Sequence, residues 1–245
     1  MFLGPLDWTG KPFLMLYGVL LIAVVIAGIV IPARLLPRGR HQSVRDPDQP
    51  AYLAGARTRL AEGAVARLLA TGPLGMRGKD KLDVLARTSA TPAEASVLAL
   101  SSPFDWDRIV NALRPAADGL VESLQRAGLM LTGGERANLR FWALLPYLAL
   151  LTFGSAKWLI GMERHRPVGF LTALLIVTAI FALIRAFTIP RITRAGRAAL
   201  AEARAVRERL RRAPLPAETG MAVALFGTAV LTGSEFSGFH AMRGG

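Results

Sequence analysis

The chain has 245 residues, of which 52% are hydrophobic and only 19% are charged, and its mean hydropathy is +0.38. This composition excludes a disordered chain, and the apolar residues are gathered into runs rather than spread as in an ordinary soluble domain. The sequence contains no cysteine, which excludes disulfides, thiolate nucleophiles and cysteine-ligated metal sites. The net charge of +13 is informative mainly through where the basic residues stand.

Three apolar runs are predicted to cross a membrane. The first, 13–31, has nineteen residues without a charge and reaches about 28 Å as a helix, close to the thickness of the hydrocarbon layer. The second, 141–160, carries Trp142 and Trp158 near its ends, as interfacial aromatic residues do. The third, 168–184, follows after a short connector, so the last two spans should form a hairpin.

The first run has a signal peptide as its alternative interpretation. A signal peptide needs a basic segment before its apolar core and small residues at a cleavage site after it. Here Lys11 is the only basic residue before the run, and Arg34 stands where cleavage would be expected. We therefore expect a membrane span.

The basic residues beside the spans predict the orientation, because the flank richer in Arg and Lys faces the cytoplasm. Lys11, Arg164 and Arg166 fall on one side, with Lys157 near it. The other side has ten: Arg34, Arg38, Arg40, Arg45, Arg136, Arg140, Arg185, Arg191, Arg194 and Arg197. We expect a multi-pass protein of a bacterial cytoplasmic (inner) membrane, with its N-terminus outside and its C-terminus in the cytoplasm.

The predicted fold class is mainly α, with three transmembrane helices and a small cytoplasmic α-rich, winged-helix-like domain that bears a β-hairpin. The predicted organisation in chain order is an outer N-terminal segment (1–12), transmembrane helix 1 (13–31), a linker (32–50), the cytoplasmic winged-helix-like domain (51–138), transmembrane helix 2 (139–161), an outer loop (162–167), transmembrane helix 3 (168–188), a basic cytoplasmic helix (189–213), and a C-terminal helix and tail (214–245).

Within 51–138, capping and turn signals predict four helices and a hairpin. Thr91 and Glu94 are spaced as a capping box, and Thr132 and Glu135 as a second one that opens the helix of the second span. Gly72 and Gly128 suit the left-handed position after a helix. The predicted elements are helix 51–70, hairpin 74–84, a short helix from Pro92, helices 105–113 and 115–127, and a short strand at 129–131.

Two parts of this domain show a weak internal sequence repeat. Val65, Leu68, Gly72 and Leu74 have the same spacing as the residues 56 positions later, which include Gly128. In both copies a helix ends at glycine and leads into a strand, which is how the third helix of a winged-helix unit enters its wing. One or two degenerate winged-helix-like units and a plain α-rich domain both account for this pattern.

The segment after the third span is basic. We expect one helix over 191–212, with Ile192, Ala199, Val206 and Leu210 as a narrow apolar stripe. Such a helix can lie on anionic lipid, which makes Arg191, Arg194, Arg197 and Arg204 candidate inner-leaflet contacts. It can equally pack on the cytoplasmic domain.

The last residues include a short apolar segment, 221–231, which is too short to cross a membrane and is expected to be buried or interfacial. The tail from 232 to 245 is expected to be loose.

We find no constellation that predicts catalysis. The run from Gly72 to Lys79 lacks the glycine and the Ser or Thr of a phosphate-binding loop. His41, His165 and His240 are too far apart in sequence for metal-ligand spacing, and Asp105 and Asp107 suit the start of a helix. We therefore expect no catalytic, cofactor-binding or metal-binding residues.

The outer loop is a candidate binding site of another kind. Lys157, Arg164 and Arg166 place basic groups at the outer interface, where they could contact lipid phosphates or an acidic partner. The alternative is a turn in which arginine and Glu163 close the hairpin.

Several short pieces, spread over nearly the whole chain, resemble an uncharacterised family of bacterial multi-pass membrane proteins, a domain that usually adjoins a Gly/Cys-rich tail. The pieces are 51–55, 65–84, 128–132, 156–171, 196–200 and 222–227. This chain departs from the family at its end, since 236–245 contains no cysteine. The resemblance implies no catalytic residues, because none are known for the family.

The expected function is non-enzymatic, as an accessory, scaffold or regulatory subunit that docks a cytoplasmic protein partner at the membrane, with membrane lipids as the other contact. A membrane-tethered DNA-binding regulator is the first alternative, although 12 basic and 9 acidic residues in 51–140 make a mild surface for nucleic acid. A component of peptide maturation or export, or a membrane enzyme, is the second.

Overall fold

A computed structural model describes residues 10–39, 46–163, 167–212 and 214–244 and divides the chain into two compact units. Unit 1 comprises Met1–Pro37 and Leu131–Arg191, and unit 2 comprises Arg38–Met130 and Ile192–Gly245. The described α-helices are α1 (Gly10–Leu35), α2 (Asp48–Thr71), α3 (Pro92–Leu98), α4 (Trp106–Ala112), α5 (Arg114–Arg126), α6 (Gly133–Glu163), α7 (Gly169–Phe187), α8 (Arg194–Val206), α9 (Thr219–Phe226) and α10 (Ser237–Gly244). Two strands, β1 (Leu74–Arg77) and β2 (Lys81–Val84), form an antiparallel hairpin. The prediction of a mainly helical protein is confirmed.

Unit 1 is built from α1, α6 and α7, which have 26, 31 and 19 residues. At 1.5 Å per residue they extend about 39, 46 and 28 Å, and all three are apolar enough to cross a membrane. The three predicted spans therefore coincide with helices of suitable length and composition. α1 continues beyond Pro32 to Leu35, past the predicted end of the first span at 31.

The contacts at the two ends of unit 1 show how its helices run. Phe13 and Tyr17 near the start of α1 cluster with Leu150 of α6 and Leu171 of α7. The opposite end, which we call the Leu36 end, is formed by Leu36, Leu131, Leu139, Ala143 and Ile189. α1 is therefore antiparallel to α6 and parallel to α7, and α1 ends, α6 begins and α7 ends at the Leu36 end.

Two tyrosines pack against glycines between the helices of unit 1. A Cβ on Gly154 would lie 2.6 Å from Cε2 of Tyr17, and a Cβ on Gly28 would lie 2.6 Å from Cε2 of Tyr147. The Tyr17 hydroxyl also forms a 3.1 Å hydrogen bond with Oγ1 of Thr178. Small residues thus permit these helices to approach closely. In a lipid environment, where there is no hydrophobic driving force between helices, such close packing stabilises their association.

Unit 2 is centred on α2, which is not the single regular helix that we expected over 51–70, because Gly55 and Ala56 have non-helical φ and ψ and kink it. Leu60, Ala64 and Leu68 are buried together, whereas Leu53, which precedes the kink, is buried in a different cluster, so the predicted single stripe is wrong. The most extensive helix partner of α2 is α9, in which Ala222, Val223, Ala224 and Leu225 are all buried. The C-terminal apolar segment is therefore buried inside unit 2. It also follows that 51–138 does not make this core alone, because residues after the third span complete it.

The predicted hairpin is present, with Leu74 opposite Val84 and Met76 opposite Leu82. Gly72 ends α2 with φ of +94° and lets the chain turn into β1, and Gly128 has φ of +72° after α5. Beyond Gly128 the two copies of the repeat differ, because Met130 bridges to Ile192 instead of starting a hairpin. The winged-helix-like part of the prediction is not confirmed.

The basic segment differs from the single helix that we expected. α8 ends at Val206, and a 3-10 turn follows at Glu208–Arg211, which breaks the helical register between Val206 and Leu210. Val206 is 75% exposed, so its place in the predicted stripe is wrong. The buried face of α8 is instead a row of Ala195, Ala199, Leu200 and Ala203, which packs within unit 2.

The expectation of a loose tail is also wrong for the residues that the structure describes. Phe239 of α10 is fully buried in the core of unit 2, and its ring lies 6.0 Å from that of Trp106. The Arg243 guanidinium stacks 3.9 Å from the same indole and also pairs with Glu62 at 3.4 Å. The low overall hydrophobicity of the tail gave no indication that Phe239 and Arg243 pack against unit 2.

We predict that Phe239→Ala lowers the free energy of unfolding of unit 2 by about 3–5 kcal/mol, because it removes a buried aromatic ring and leaves a cavity. Thermal unfolding of the purified full-length protein measures the loss. Leu215→Ala is the control, since Leu215 is 59% exposed. Equal stability of the two variants would contradict a buried tail.

Candidate functional site

A buried group of charged side chains brings together Asp48 at the start of α2, Arg67 near the end of α2 and Glu94 of α3. Arg67 donates a hydrogen bond from Nη2 to Oδ1 of Asp48 at 2.7 Å and another from Nε to Oε1 of Glu94. Asp48 is 5% exposed and Glu94 is 3% exposed. We call Arg67, Asp48, Glu94 and Thr91 the Arg67 cluster.

Local sequence signals place the two carboxylates. Thr91 caps α3 by accepting a 3.3 Å hydrogen bond from the Glu94 backbone N–H, as the capping box predicts. The return bond is different, because Oε2 of Glu94 accepts from the backbone N–H of Ala90 at 2.6 Å. Oε1 of Glu94 is therefore free to pair with Arg67. The capping pattern in the sequence did not predict this ion pair.

Burial and ion pairing oppose each other in this cluster. Burial raises the pKa of the Asp48 carboxyl, although the hydrogen bond and charge of Arg67 act against that shift. For Arg67, burial acts to lower the pKa, but the hydrogen bonds and charges of Asp48 and Glu94 outweigh it and raise the pKa. The charges of this buried cluster therefore compensate one another. Removing any one of them would leave an uncompensated buried charge and destabilise the fold.

A groove opens beside this cluster along α5. Ala116, Gly119, Leu120 and Ser123 follow one another at helical spacing, so they share one face of the helix. A Cβ built on Gly119 would meet no atom within 4 Å. The groove has a volume of about 330 Å³, and we call it the α5 groove. Its lining residues are Asp46, Asp48, Leu60, Pro92, Ala93, Pro115, Ala116, Gly119, Leu120 and Ser123.

The α5 groove has the chemistry of a binding surface. Its lining is mainly small and apolar, and the exposed Asp46 adds a negative charge to it. The Asp48 carboxylate is already held by Arg67, so it is poorly placed to act as a proton acceptor. In the described ranges, no group of three or more His, Asp and Glu side chains is arranged to hold a metal ion.

The residues predicted for the outer interface are only partly described. Lys157 lies with its Nζ 5.2 Å from the centre of the Phe13 ring, at the end of unit 1 opposite the Leu36 end. Arg164 and Arg166 lie outside the described residues. A site made by all three therefore stays a prediction.

The four predicted inner-leaflet contacts are all exposed. Arg191 belongs to unit 1, and Arg194, Arg197 and Arg204 belong to α8 of unit 2, so their contact with lipid stays a prediction. Arg204 donates from Nε to the backbone carbonyl of Leu225 at 3.1 Å, so it stabilises the end of α9. Sequence reasoning missed the Arg67 cluster altogether, because a buried arginine on a helix has the same local signature as an exposed one.

No family model, curated protein or solved structure matches this chain. The resemblance to an uncharacterised bacterial membrane family therefore stays a prediction.

We predict that Arg67→Met lowers the free energy of unfolding by about 3–5 kcal/mol at neutral pH, because Asp48 and Glu94 lose the cation that compensates their burial. Without Arg67 the folded-state pKa of Asp48 rises further. A raised folded-state pKa favours folding at low pH and loses that contribution as the pH rises through it. The defect should therefore be smaller at pH 4.5 than at pH 7.5 in thermal unfolding.

Arg77→Met is the matched control for this substitution. Arg77 pairs with Asp83 at 3.6 Å, but its side chain is 65% exposed, so little change is expected. A defect in Arg67→Met that does not depend on pH would contradict the electrostatic account.

Proposed function

We propose that this protein is a non-enzymatic integral protein of a bacterial inner membrane that acts as an accessory, scaffold or regulatory subunit. Unit 1 holds it in the bilayer, and unit 2 docks a cytoplasmic protein partner through the α5 groove. The resemblance to an uncharacterised bacterial membrane family is consistent with this role and supplies no activity. The observation that carries the proposal is the α5 groove itself.

The shape and charge of the α5 groove favour a protein segment as its occupant. One helical face of α5 offers small side chains, which let another helix approach closely, and Gly119 leaves open space at its middle. The exposed Asp46 in its lining complements a Lys or Arg of the partner. A short amphipathic helix with one basic residue satisfies both features.

The proposed orientation follows from the charges of unit 1. Arg34, Arg136, Arg140, Arg185 and Arg191 belong to the segments that meet at the Leu36 end. Lys11 and Lys157 belong to the opposite end among the described residues. The positive-inside rule therefore favours a cytoplasmic Leu36 end.

The contacts of α2 count against the DNA-binding alternative. Arg67 is committed to Asp48 and Glu94, and Arg59 pairs with Glu62 at 2.8 Å. Neither guanidinium is available to a phosphate without breaking an ion pair. The winged-helix-like character of α2, Gly72 and the hairpin is kept as part of the proposal, in the protein-binding role that such domains also serve.

The lack of cysteine allows a direct test of orientation. Single cysteines at the exposed Glu163 and Glu122 give one reactive thiol each, in unit 1 and unit 2. In intact spheroplasts a membrane-impermeant maleimide should label Glu163→Cys and leave Glu122→Cys unlabelled, whereas both should react after permeabilisation. The reverse pattern would overturn the proposed orientation.

The groove is tested by crosslinking in cells. A photoactivatable amino acid at Ser123, in the full-length protein, should give a discrete adduct with one partner protein. Gly119→Trp should abolish the adduct, because the indole fills the groove. It also removes a helix-weakening glycine, at a position where a Cβ meets no atom within 4 Å.

Glu122→Trp is the matched control, since it adds the same indole to an exposed position of α5 that does not line the groove. It should leave the adduct intact. A crosslink that survives Gly119→Trp, or no adduct at Ser123, would remove the α5 groove as the docking site.

A further inference from the structure

Arg136 at the start of α6 has an unusual environment. It is half-buried, and its Nε is buried without a hydrogen-bond partner among the residues that the structure describes. Arg140 and Arg191 lie within electrostatic range of it, and both are exposed. Three like charges therefore converge at the Leu36 end of unit 1. We call these residues the Arg136 triad.

The acidic residues of unit 1 do not neutralise the triad. In its described ranges there are two, Glu135 and Glu163, and Glu163 belongs to the opposite end of α6. Oε2 of Glu135 accepts from the Thr132 backbone N–H at 2.8 Å and from its Oγ1 at 2.9 Å, so this carboxylate serves as the helix cap. No described carboxylate lies within ion-pair distance of the triad.

A neighbouring arginine at the same end shows the contrast. Arg185 donates from Nε to the Gly28 carbonyl at 2.6 Å and from Nη1 to Oγ1 of Thr188 at 3.2 Å. These hydrogen bonds link α7 to α1, and the guanidinium of Arg185 finds its acceptors within the protein. The triad has no such described acceptors, and a cluster of repelling cations is costly unless an anion compensates it.

Exposed aromatic residues indicate the depth of the triad. Phe141 and Trp142 follow Arg140 directly and are 56% and 42% exposed, and their rings meet edge to face at 5.7 Å. Exposed aromatic rings at the end of an apolar span are typical of the headgroup level. Phe187, near the end of α7, is 74% exposed. The triad is therefore placed where lipid phosphates lie.

We propose that Arg136, Arg140 and Arg191 form a binding site for the headgroup of an anionic phospholipid with two phosphates. Guanidinium groups bind phosphate oxygens in a fork geometry, and the exposed guanidinium groups of Arg140 and Arg191 offer such donors beside Arg136. A charge of about −2 on a diphosphatidyl headgroup balances three arginines better than a single phosphodiester. This site depends on membrane insertion of unit 1 and not on the α5 groove.

The test uses full-length protein in mild detergent, titrated with a diphosphatidylglycerol lipid, a phosphatidylglycerol or a phosphatidylcholine, with native mass spectrometry as the readout. We expect the diphosphatidyl lipid to bind at least tenfold more tightly than phosphatidylcholine. The triple variant R136Q/R140Q/R191Q should lose at least tenfold of that affinity.

A charge-matched control separates a site from general attraction. R87Q/R108Q/R126Q removes three exposed arginines of unit 2 and should change the affinity less than threefold. R140Q/R191Q alters only the two exposed members, so it keeps the test valid if the triple variant does not fold. Equal losses in control and triad variants, or no loss in either triad variant, would overturn the proposal.

Free phosphate is the other source of the same chemistry. Millimolar glycerol 3-phosphate should not displace the diphosphatidyl lipid, because the lipid's chains also contact the apolar helices. Displacement at that concentration would assign the triad to a soluble phosphate compound instead and would overturn the lipid site.

Discussion

Three helices that are long and apolar enough to cross a bilayer are the constraint on which this protein depends. Inside a hydrocarbon layer the backbone must satisfy its own hydrogen bonds, so the first span and the following hairpin have to be helical. Gly28 and Gly154 leave room for tyrosine rings to pack between these helices. Because α1 ends, α6 begins and α7 ends together, the chain leaves unit 1 twice and enters it once at the same end.

The two chain segments of unit 2 complete each other. α2 has buried residues on both sides of its kink at Gly55 and Ala56, but its main partner, α9, comes from beyond the third span. α8 adds a second apolar row, and α10 adds Phe239. A fragment that stops before the second span would therefore expose the face of α2 that α9 covers.

The arginines of this basic protein perform unlike tasks according to their surroundings. Arg67 compensates two buried carboxylates, Arg204 stabilises the end of α9, and Arg185 joins α7 to α1. The Arg136 triad instead gathers charge without a described counterion. The number of arginines does not distinguish these roles. An arginine has the same local sequence context whether its guanidinium lies in an ion pair, at a helix end or beside a headgroup.

Features encoded over a few neighbouring residues could be predicted from the sequence. Uninterrupted apolar length predicted the three long helices, alternation around a glycine turn predicted the hairpin, and Thr91, Asp105 and Thr132 marked helix starts that the structure contains. Which of the remaining residues are buried depends on tertiary packing. Val206 is exposed because α8 ends there, and Phe239 is buried because unit 2 folds α10 against Trp106. The Arg67 cluster joins positions 48, 67 and 94, and the α5 groove and the Arg136 triad likewise combine distant positions. Contacts of that kind depend on how helices pack over long separations, which local hydrophobic periodicity does not encode.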